Sequence, residues 1–584
     1  MTSPKRRNLF VLPLLLLPLT LTPTLTTATA TVTASEPPLQ ERWQTVEVSL
    51  GKGSKLTGRK TASTESFNRI PYAEPPLGPL RLKPPRKPSP GSLHGSRDAT
   101  AEAPVCPQML VSTVAKSRMA KFASHLLDSP LLNEFKGQED CLTLDVQRPA
   151  GVRAGDDLPV LFWIWGGAFA FGGSHSYEAS SLLSFASEQN QSFILVAINH
   201  RLGGFGFLPG KQVLRDGSAN LGLLDQRMAL EWVADNIRAF GGDPDKVTIW
   251  GLSSGGISVL DQMVLYGGNA TYKGKPLFRG AIINSGGAAP AEPVDGVKGQ
   301  AVYDAVVSSA GCANETDSLQ CLRELDYPTL LKATNSVPAF FSYSSIALSY
   351  LPRPDGVVLP DSPDRLVEQG RIHAVPLIMG NQEDEGTTIA LFQWNLTTTA
   401  DLADYLSTVM FPTVPREKLK QYVDLYDPAL QQGSPHRTGL LNELYPGFKR
   451  VAAVLGDLTF TLSRRVTLLA LERVKPEMPV WSYLASYNHA LPFLGTFHAS
   501  DVVQIFFGLP PNNAARSCRT YYLNFLHNLD PNKGVVSYSF WPRWSSVRRD
   551  LMWFRWPWAN DAMRDDFRSG AEAWLAENAK LLHL

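Results

Sequence analysis

A serine at position 253 stands in Gly251-Leu252-Ser253-Ser254-Gly255, at the end of a short apolar run and the start of a segment with helical character. A serine hydroxyl is a weak nucleophile until a tight turn lifts it clear of its neighbours beside a base. Gly251 and Gly255 suit such a turn, because the backbone is strained there and the following helix must pass close to the strand. The five-residue pattern alone also describes an ordinary glycine-rich turn. Its context favours a nucleophile elbow: residues 247–250 are apolar and partly β-branched, as a buried parallel strand should be, and residues 257–264 supply a mostly apolar run for a helix.

Nucleophilic chemistry at Ser253 also needs a base, an acid that orients the base, and backbone donors for the oxyanion. When such a serine sits on a strand-to-helix elbow, acid and then histidine follow it in the chain. The acid candidates are Glu383, Asp384 and Glu385, directly after the apolar run 375–379; three adjacent carboxyls also describe a solvated turn. Later histidines are His436, His489, His498, His527 and His583. Of these His498 stands out, in a loop of small residues that follows a strand candidate at 480–484. The oxyanion donors expected are the backbone N–H groups of Gly167 and Ala168, which follow the apolar run 160–165, and that of Ser254.

These groups must be positioned by a repeating α/β framework. Uninterrupted apolar runs at 160–165, 193–198, 247–250, 281–284, 375–379 and 480–484 read as buried strands. Leu224, Met228, Trp232, Val233, Ile237 and Phe240 line one face of an intervening helix that stops at Gly241-Gly242-Asp243-Pro244. Strands alternating with helices imply an α/β fold with a large, mostly parallel sheet covered on both faces. Residues 43–87 read as a small β-region. Residues 292–360, irregular, and 400–473, helical, read as long insertions; residues 540–558 read as a turn region and 561–582 as a packing helix. No boundary divides the chain after residue 34, so residues 35–584 are expected to form one domain.

The 584 residues carry 55 Lys plus Arg against 54 Asp plus Glu, a net charge of +1. Such a balance leaves no electrostatic footprint for nucleic acid. Lys5-Arg6-Arg7, a leucine-rich stretch at 9–21 and small residues up to Ala34 form the pattern of a secretory signal peptide, with cleavage near residue 30 or 34. A membrane anchor is the alternative, but the stretch is short and broken by prolines. Five cysteines suit an oxidising compartment. Cys106 and Cys141 bracket one loop, Cys312 and Cys321 a shorter one, and Cys518 is left over; closing the two loops would contribute about 4 and about 3 kcal/mol. Within 106–141, Met109, Val114, Phe122, Leu126 and Leu131 recur at near-helical spacing, the pattern of an amphipathic helix. Sequons at Asn190, Asn269, Asn314 and Asn395 would place four loops at the surface if glycosylated.

With these residues assembled, the chain resembles the type-B carboxylesterase/lipase family, which also contains cholinesterases and adhesion proteins. The likeness rests on Glu139-Asp140-Cys141-Leu142, on Asn220-Leu221-Gly222-Leu223-Leu224-Asp225-Gln226 and on Phe240-Gly241-Gly242-Asp243-Pro244. The first cysteine loop, the spacing of Cys312 and Cys321, and Tyr445-Pro446-Gly447-Phe448-Lys449-Arg450 are most like the fungal secreted lipases. The resemblance implies an α/β-hydrolase fold, with Ser253 as nucleophile, Glu385 as acid, His498 as base, and Gly167, Ala168 and Ser254 as the oxyanion hole. It also implies the disulfides Cys106–Cys141 and Cys312–Cys321, the first closing a lid that meets a lipid interface. Three residues depart from the family pattern: Leu252 replaces a usual Glu, Ser254 a usual Ala, and Trp165 a usual His or Tyr. The function implied is a secreted serine carboxylic-ester hydrolase that forms an acyl-enzyme and needs no metal or cofactor. A triacylglycerol lipase is the variant reading; an inactive adhesion module is the rival from another class. The partner is a small-molecule or lipid ester, and the sequence leaves the oligomeric state open.

Overall fold

Alternation near the N-terminus and continuous apolar runs further on give two kinds of strand in one sheet. The computed structural model describes residues 43–51, 53–89, 95–112, 137–555 and 559–584. Strands β1 (Gln44–Gly51), β2 (Ser54–Lys60) and β3 (Thr64–Pro71) form an antiparallel meander, and β4 (Gly95–Asp98) lies parallel to β2. Then come β5 (Thr143–Pro149), β6 (Leu158–Ile164), β7 (Ile194–Ile198) and β8 (Gly242–Leu252). A short hairpin of β9 (Thr271–Tyr272) and β10 (Lys275–Pro276) stands apart. The sheet resumes with β11 (Gly280–Asn284), β12 (Leu377–Gln382), β13 (Val480–Ser486), β14 (Asp550–Arg555) and β15 (Asp561–Arg564).

The order across the sheet is β1-β2-β3-β5-β7-β6-β8-β11-β12-β13-β14-β15. From β7 to β14 every neighbouring pair is parallel. That centre is buried on both faces, and β7, β11, β12 and β13 are buried along their full length. A strand so placed has no solvent face to mark with polar residues, which explains its continuous apolar reading. Successive side chains of β6 serve opposite faces: Val160, Phe162 and Ile164 join one core, Leu161 and Trp163 the other. The second core is rich in aromatic rings, with Trp163 4.3 Å from Trp250 and Trp250 stacked on Phe506 at 5.0 Å. The structure bears out the mostly parallel α/β sheet with helices on both faces. Residues 44–584 pack as one compact unit.

Three regions differ from the sequence reading. Residues 540–558 are not all turn, because Asp550–Arg555 forms β14 parallel to β13; the proposed helix 561–582 begins with β15, and its helix spans only Ser569–Asn578. Residues 292–360 hold three helices, Val297–Ser309, Ser318–Glu324 and Tyr327–Thr334. The disulfides Cys106–Cys141 and Cys312–Cys321 are present, and Cys518 is a buried free thiol. Among the described residues no helix is long and apolar enough to cross a membrane.

Candidate active site

The groups singled out in the sequence gather at the carboxyl ends of β6, β8, β12 and β13, where parallel α/β sheets present their loops to ligands. Ser253 follows β8 and precedes the helix Ser254–Gly268, with φ 56° and ψ −126°, a conformation that side-chain-bearing residues rarely adopt. Its N–H donates to the carbonyl of Asn284 at 2.9 Å, so the end of β11 pins the turn. Gly255 has to be glycine: a Cβ there would lie 2.0 Å from the carbonyl oxygen of Ile164 and 2.6 Å from that of Trp165. The helix start is thereby packed against the end of β6.

The loop after β6 is just as constrained. Gly167, Ala168 and Phe169 all have positive φ, at 147°, 55° and 56°. A Cβ on Gly167 would fall 1.8 Å from the carbonyl oxygen of Phe171. Trp165 donates from Nε1 to the carbonyl of Ile198 at 2.5 Å and stacks on His200, whose ring burial pushes down to about 4 and keeps neutral. Gln108, near the root of the first disulfide loop, clasps Gly172 by two hydrogen bonds of 2.7 and 3.1 Å, and Met109 N–H donates to Ala170. Met109 is thus a fixed core residue. The other lid positions, Val114, Phe122, Leu126 and Leu131, lie outside the described residues.

Glu385 follows β12 and is 1 % exposed. Its Oε2 lies 2.6 Å from Nδ1 of His498. Its Oε1 accepts the N–H of Gln382 at 2.8 Å and Nδ2 of Asn381 at 3.3 Å. Asn381 is oriented in turn by Nε of buried Arg464, at 2.7 Å, and Arg464 is paired with buried Asp565. The other two acid candidates do different work. Glu383, whose side chain is 9 % exposed, makes an ion pair with the more exposed Arg437. Asp384 accepts from Ser434 Oγ and His436 N–H at 2.8 Å and from Thr496 N–H at 2.9 Å, tying down the segment that leads to His498. Burial, reinforced by the charge of Glu383, pushes its pKa up to about 7 against these donors.

His498 stacks on Phe460 with ring centroids 4.4 Å apart. Phe460 in turn lines a cavity of about 150 Å³ together with Ser253, Ser254 and Ala168. The remaining wall is chiefly apolar and includes Ile346, Leu348, Met410, Phe411 and Leu458. Asp501, three residues beyond His498, is fully buried and receives Nδ2 of Asn284 at 2.6 Å; burial pushes its pKa up to about 6. Asn381, Arg464, Phe460 and Asp501 were not singled out in the sequence. Only Asp501, by its closeness to His498, carried a local signal. His436, His489, His527 and His583 have other partners or surroundings and make no contact with Glu385.

A buried carboxylate on one nitrogen of a histidine, a serine on a strained elbow and a chiefly apolar cavity that reaches the serine and the ring stacked on the histidine are what acyl transfer from an apolar ester requires. The profile of the carboxylesterase family matches residues 43–555. The chain belongs to the carboxylesterase family. As a member it is a carboxylic ester hydrolase. It is 55 % identical over 549 residues to a secreted triacylglycerol lipase, LIP1, of Gibberella zeae, covering 94 % of this chain and 93 % of that protein. It is 53 % identical over 513 residues to secreted lipase 1 of Botryotinia fuckeliana, covering 87 % and 89 %. These agree with the likeness to fungal secreted lipases. Among solved structures, a Geobacillus stearothermophilus carboxylesterase, EST55, superposes with a TM-score of 0.69 at 26 % identity, over 90 % of this chain and 99 % of that one. Aspergillus niger EstA, with a TM-score of 0.76 at 24 % identity over 92 % and 99 %, shares the fold.

Proposed function

We propose that this chain is a secreted lipase, hydrolysing esters of aliphatic acids through a Ser253-His498-Glu385 triad. The observation that carries the reading is the 2.6 Å contact of His498 Nδ1 with buried Glu385, together with an elbow serine that opens on a chiefly apolar cavity. His498 Nε2 takes the proton of Ser253 Oγ as that oxygen attacks the ester carbonyl. Glu385 holds the imidazolium while donors from the loop after β6 and from Ser254, the backbone N–H groups of Ala168 and Ser254 among them, hold the oxyanion. Return of the proton to the alkoxy group releases the alcohol and leaves the acyl chain on Ser253; water, activated by the same base, then frees the acid.

The apolar walls favour alkyl chains, since each buried methylene contributes about 0.8 kcal/mol. Names of the fungal relatives support a triacylglycerol substrate and secretion, as does the signal-like N-terminus. Asn190, Asn269, Asn314 and Asn395 are all exposed, as glycan acceptors must be. The amphipathic pattern between Cys106 and Cys141 supports a covering segment that meets the lipid surface. Rates on nitrophenyl esters from acetate to palmitate, with and without an emulsified interface, test the reading. It requires kcat/KM to rise with chain length and activity to rise at the interface. A maximum at acetate with no interfacial gain would make the protein a short-chain esterase.

A further inference from the structure

The Oγ of Ser254 accepts the N–H of Gly167 at 3.0 Å. One of the three amides expected to face the oxyanion is therefore bonded to a side-chain hydroxyl. Ser254 and Ala168 line the substrate cavity, whereas Gly167 is not among the residues that do so. A substrate carbonyl in this cavity would therefore meet Ser254 before it met Gly167. The turn that carries this amide is held in place, since the N–H groups of Ala170 and Phe171 donate to the Gly167 carbonyl at 2.9 and 3.1 Å. A hydroxyl accepts through its lone pairs and still has one proton to donate. Among the described residues, that proton of Ser254 has no acceptor.

We propose that the Ser254 hydroxyl, rather than the Gly167 amide, is the third oxyanion donor, completing a set with the backbone N–H groups of Ala168 and Ser254. The Gly167 N–H polarises the hydroxyl from behind, and bonds in such a chain strengthen one another. No proton changes owner: the Ser254 O–H points at the carbonyl oxygen, shortens its bond as negative charge develops, and relaxes when the tetrahedral intermediate collapses. Ser254 is then a catalytic residue through both its amide and its side chain. This inference rests on Ser253 being the nucleophile.

The test compares Ser254→Ala, Ser254→Cys and Ser254→Thr in the full chain, each first shown to melt like the wild type. Kinetics on a nitrophenyl ester and the rate of phosphonate labelling of Ser253 are the readouts. Loss of one oxyanion donor lowers kcat by about 100-fold or more, and partial substitution by the freed Gly167 amide puts the expected loss for Ser254→Ala at about 10- to 100-fold. KM should stay within about threefold, because the donor acts mainly in the transition state. Labelling should slow in parallel, Ser254→Cys should resemble Ser254→Ala, and Ser254→Thr, which keeps a hydroxyl, should recover most of the rate. An unchanged or raised kcat in Ser254→Ala would overturn the proposal and return the role to the Gly167 amide. Failure of the nucleophile reading shows separately, as phosphonate labelling that survives Ser253→Ala.

Discussion

Glu385 holds His498 with one carboxylate oxygen, at 2.6 Å, while its other oxygen is bound by the backbone of Gln382 and the amide of Asn381. This division of labour fixes the carboxylate plane independently of the histidine. Glu385→Gln should therefore keep the fold and lower kcat by about 10³- to 10⁴-fold, as the imidazolium loses its partner. Glu383→Gln, which removes the charge paired with Arg437 and not the one on His498, should alter kcat by no more than a few-fold. Asp384→Asn should lower Tm by a few degrees, because it disturbs three buried hydrogen bonds. A collapse of kcat in Glu383→Gln with Glu385→Gln active would reassign the acid.

Asp501 and His498 attract one another when both are charged. Replacing the carboxylate in Asp501→Asn removes a charge that favours the protonated base and should move the acid limb of the kcat/KM profile to lower pH. The stability effect follows from the raised pKa of Asp501. Its protonated form favours the fold, an advantage present below about pH 4 and lost as the pH rises through about 6. Thermal melts of wild type and Asp501→Asn should accordingly diverge in favour of the variant between pH 5 and pH 8. An acid limb that stays in place would show that Asp501 is not coupled to catalysis.

Leu252 is buried and pairs in register with Asn284, one residue before Ser285, whose Oγ is buried without a partner among the described residues. Leu252→Glu places a carboxylate beside that hydroxyl. Its charge should favour the protonated base and move the acid limb to higher pH, the opposite direction to Asp501→Asn. Burial should raise the new carboxyl's own pKa, so the stability loss should be small at pH 5 and grow toward pH 8. Parallel melts and pH-rate profiles check both signs. A folded variant with an unmoved profile would uncouple position 252 from His498.

Gly255→Ala should fail to give a native melt, since its Cβ has no room between two carbonyl oxygens of the β6 end. Relief would require the helix Ser254–Gly268 to shift away from the sheet. A variant of normal stability and activity would refute the close packing of elbow and strand.

Much of this site was legible because the chemistry is ordered along the chain. The elbow serine, the acid after β12 and the histidine after β13 each follow an apolar run that cannot be mistaken for surface. The contacts that refine the site were not legible. Gly167 and Ser254 are 87 residues apart and Arg464 and Asn381 are 83 apart, so only the packed sheet brings them together. The strand β15 was missed because it lies at the sheet's edge, and β14 because its short apolar run stands among the tryptophans and prolines of a segment read as turn. Exposed positions in β15 interrupt its apolar pattern, and its four residues are too few to show a period. The helix Val297–Ser309 was missed because its valines and glycine are weak helix formers that tertiary packing overrides.

The central claim, that Ser253 is the acyl-carrying nucleophile, is tested most directly by treating the folded protein with a phosphonate ester and mapping the adduct by peptide mass spectrometry. The account predicts one adduct, on Ser253, formed in step with loss of hydrolysis. It also predicts that Ser253→Ala takes no label, melts like the wild type and hydrolyses at less than about one-thousandth of the wild-type rate. An adduct on another residue, or a Ser253→Ala variant that hydrolyses at near the wild-type rate, would contradict it.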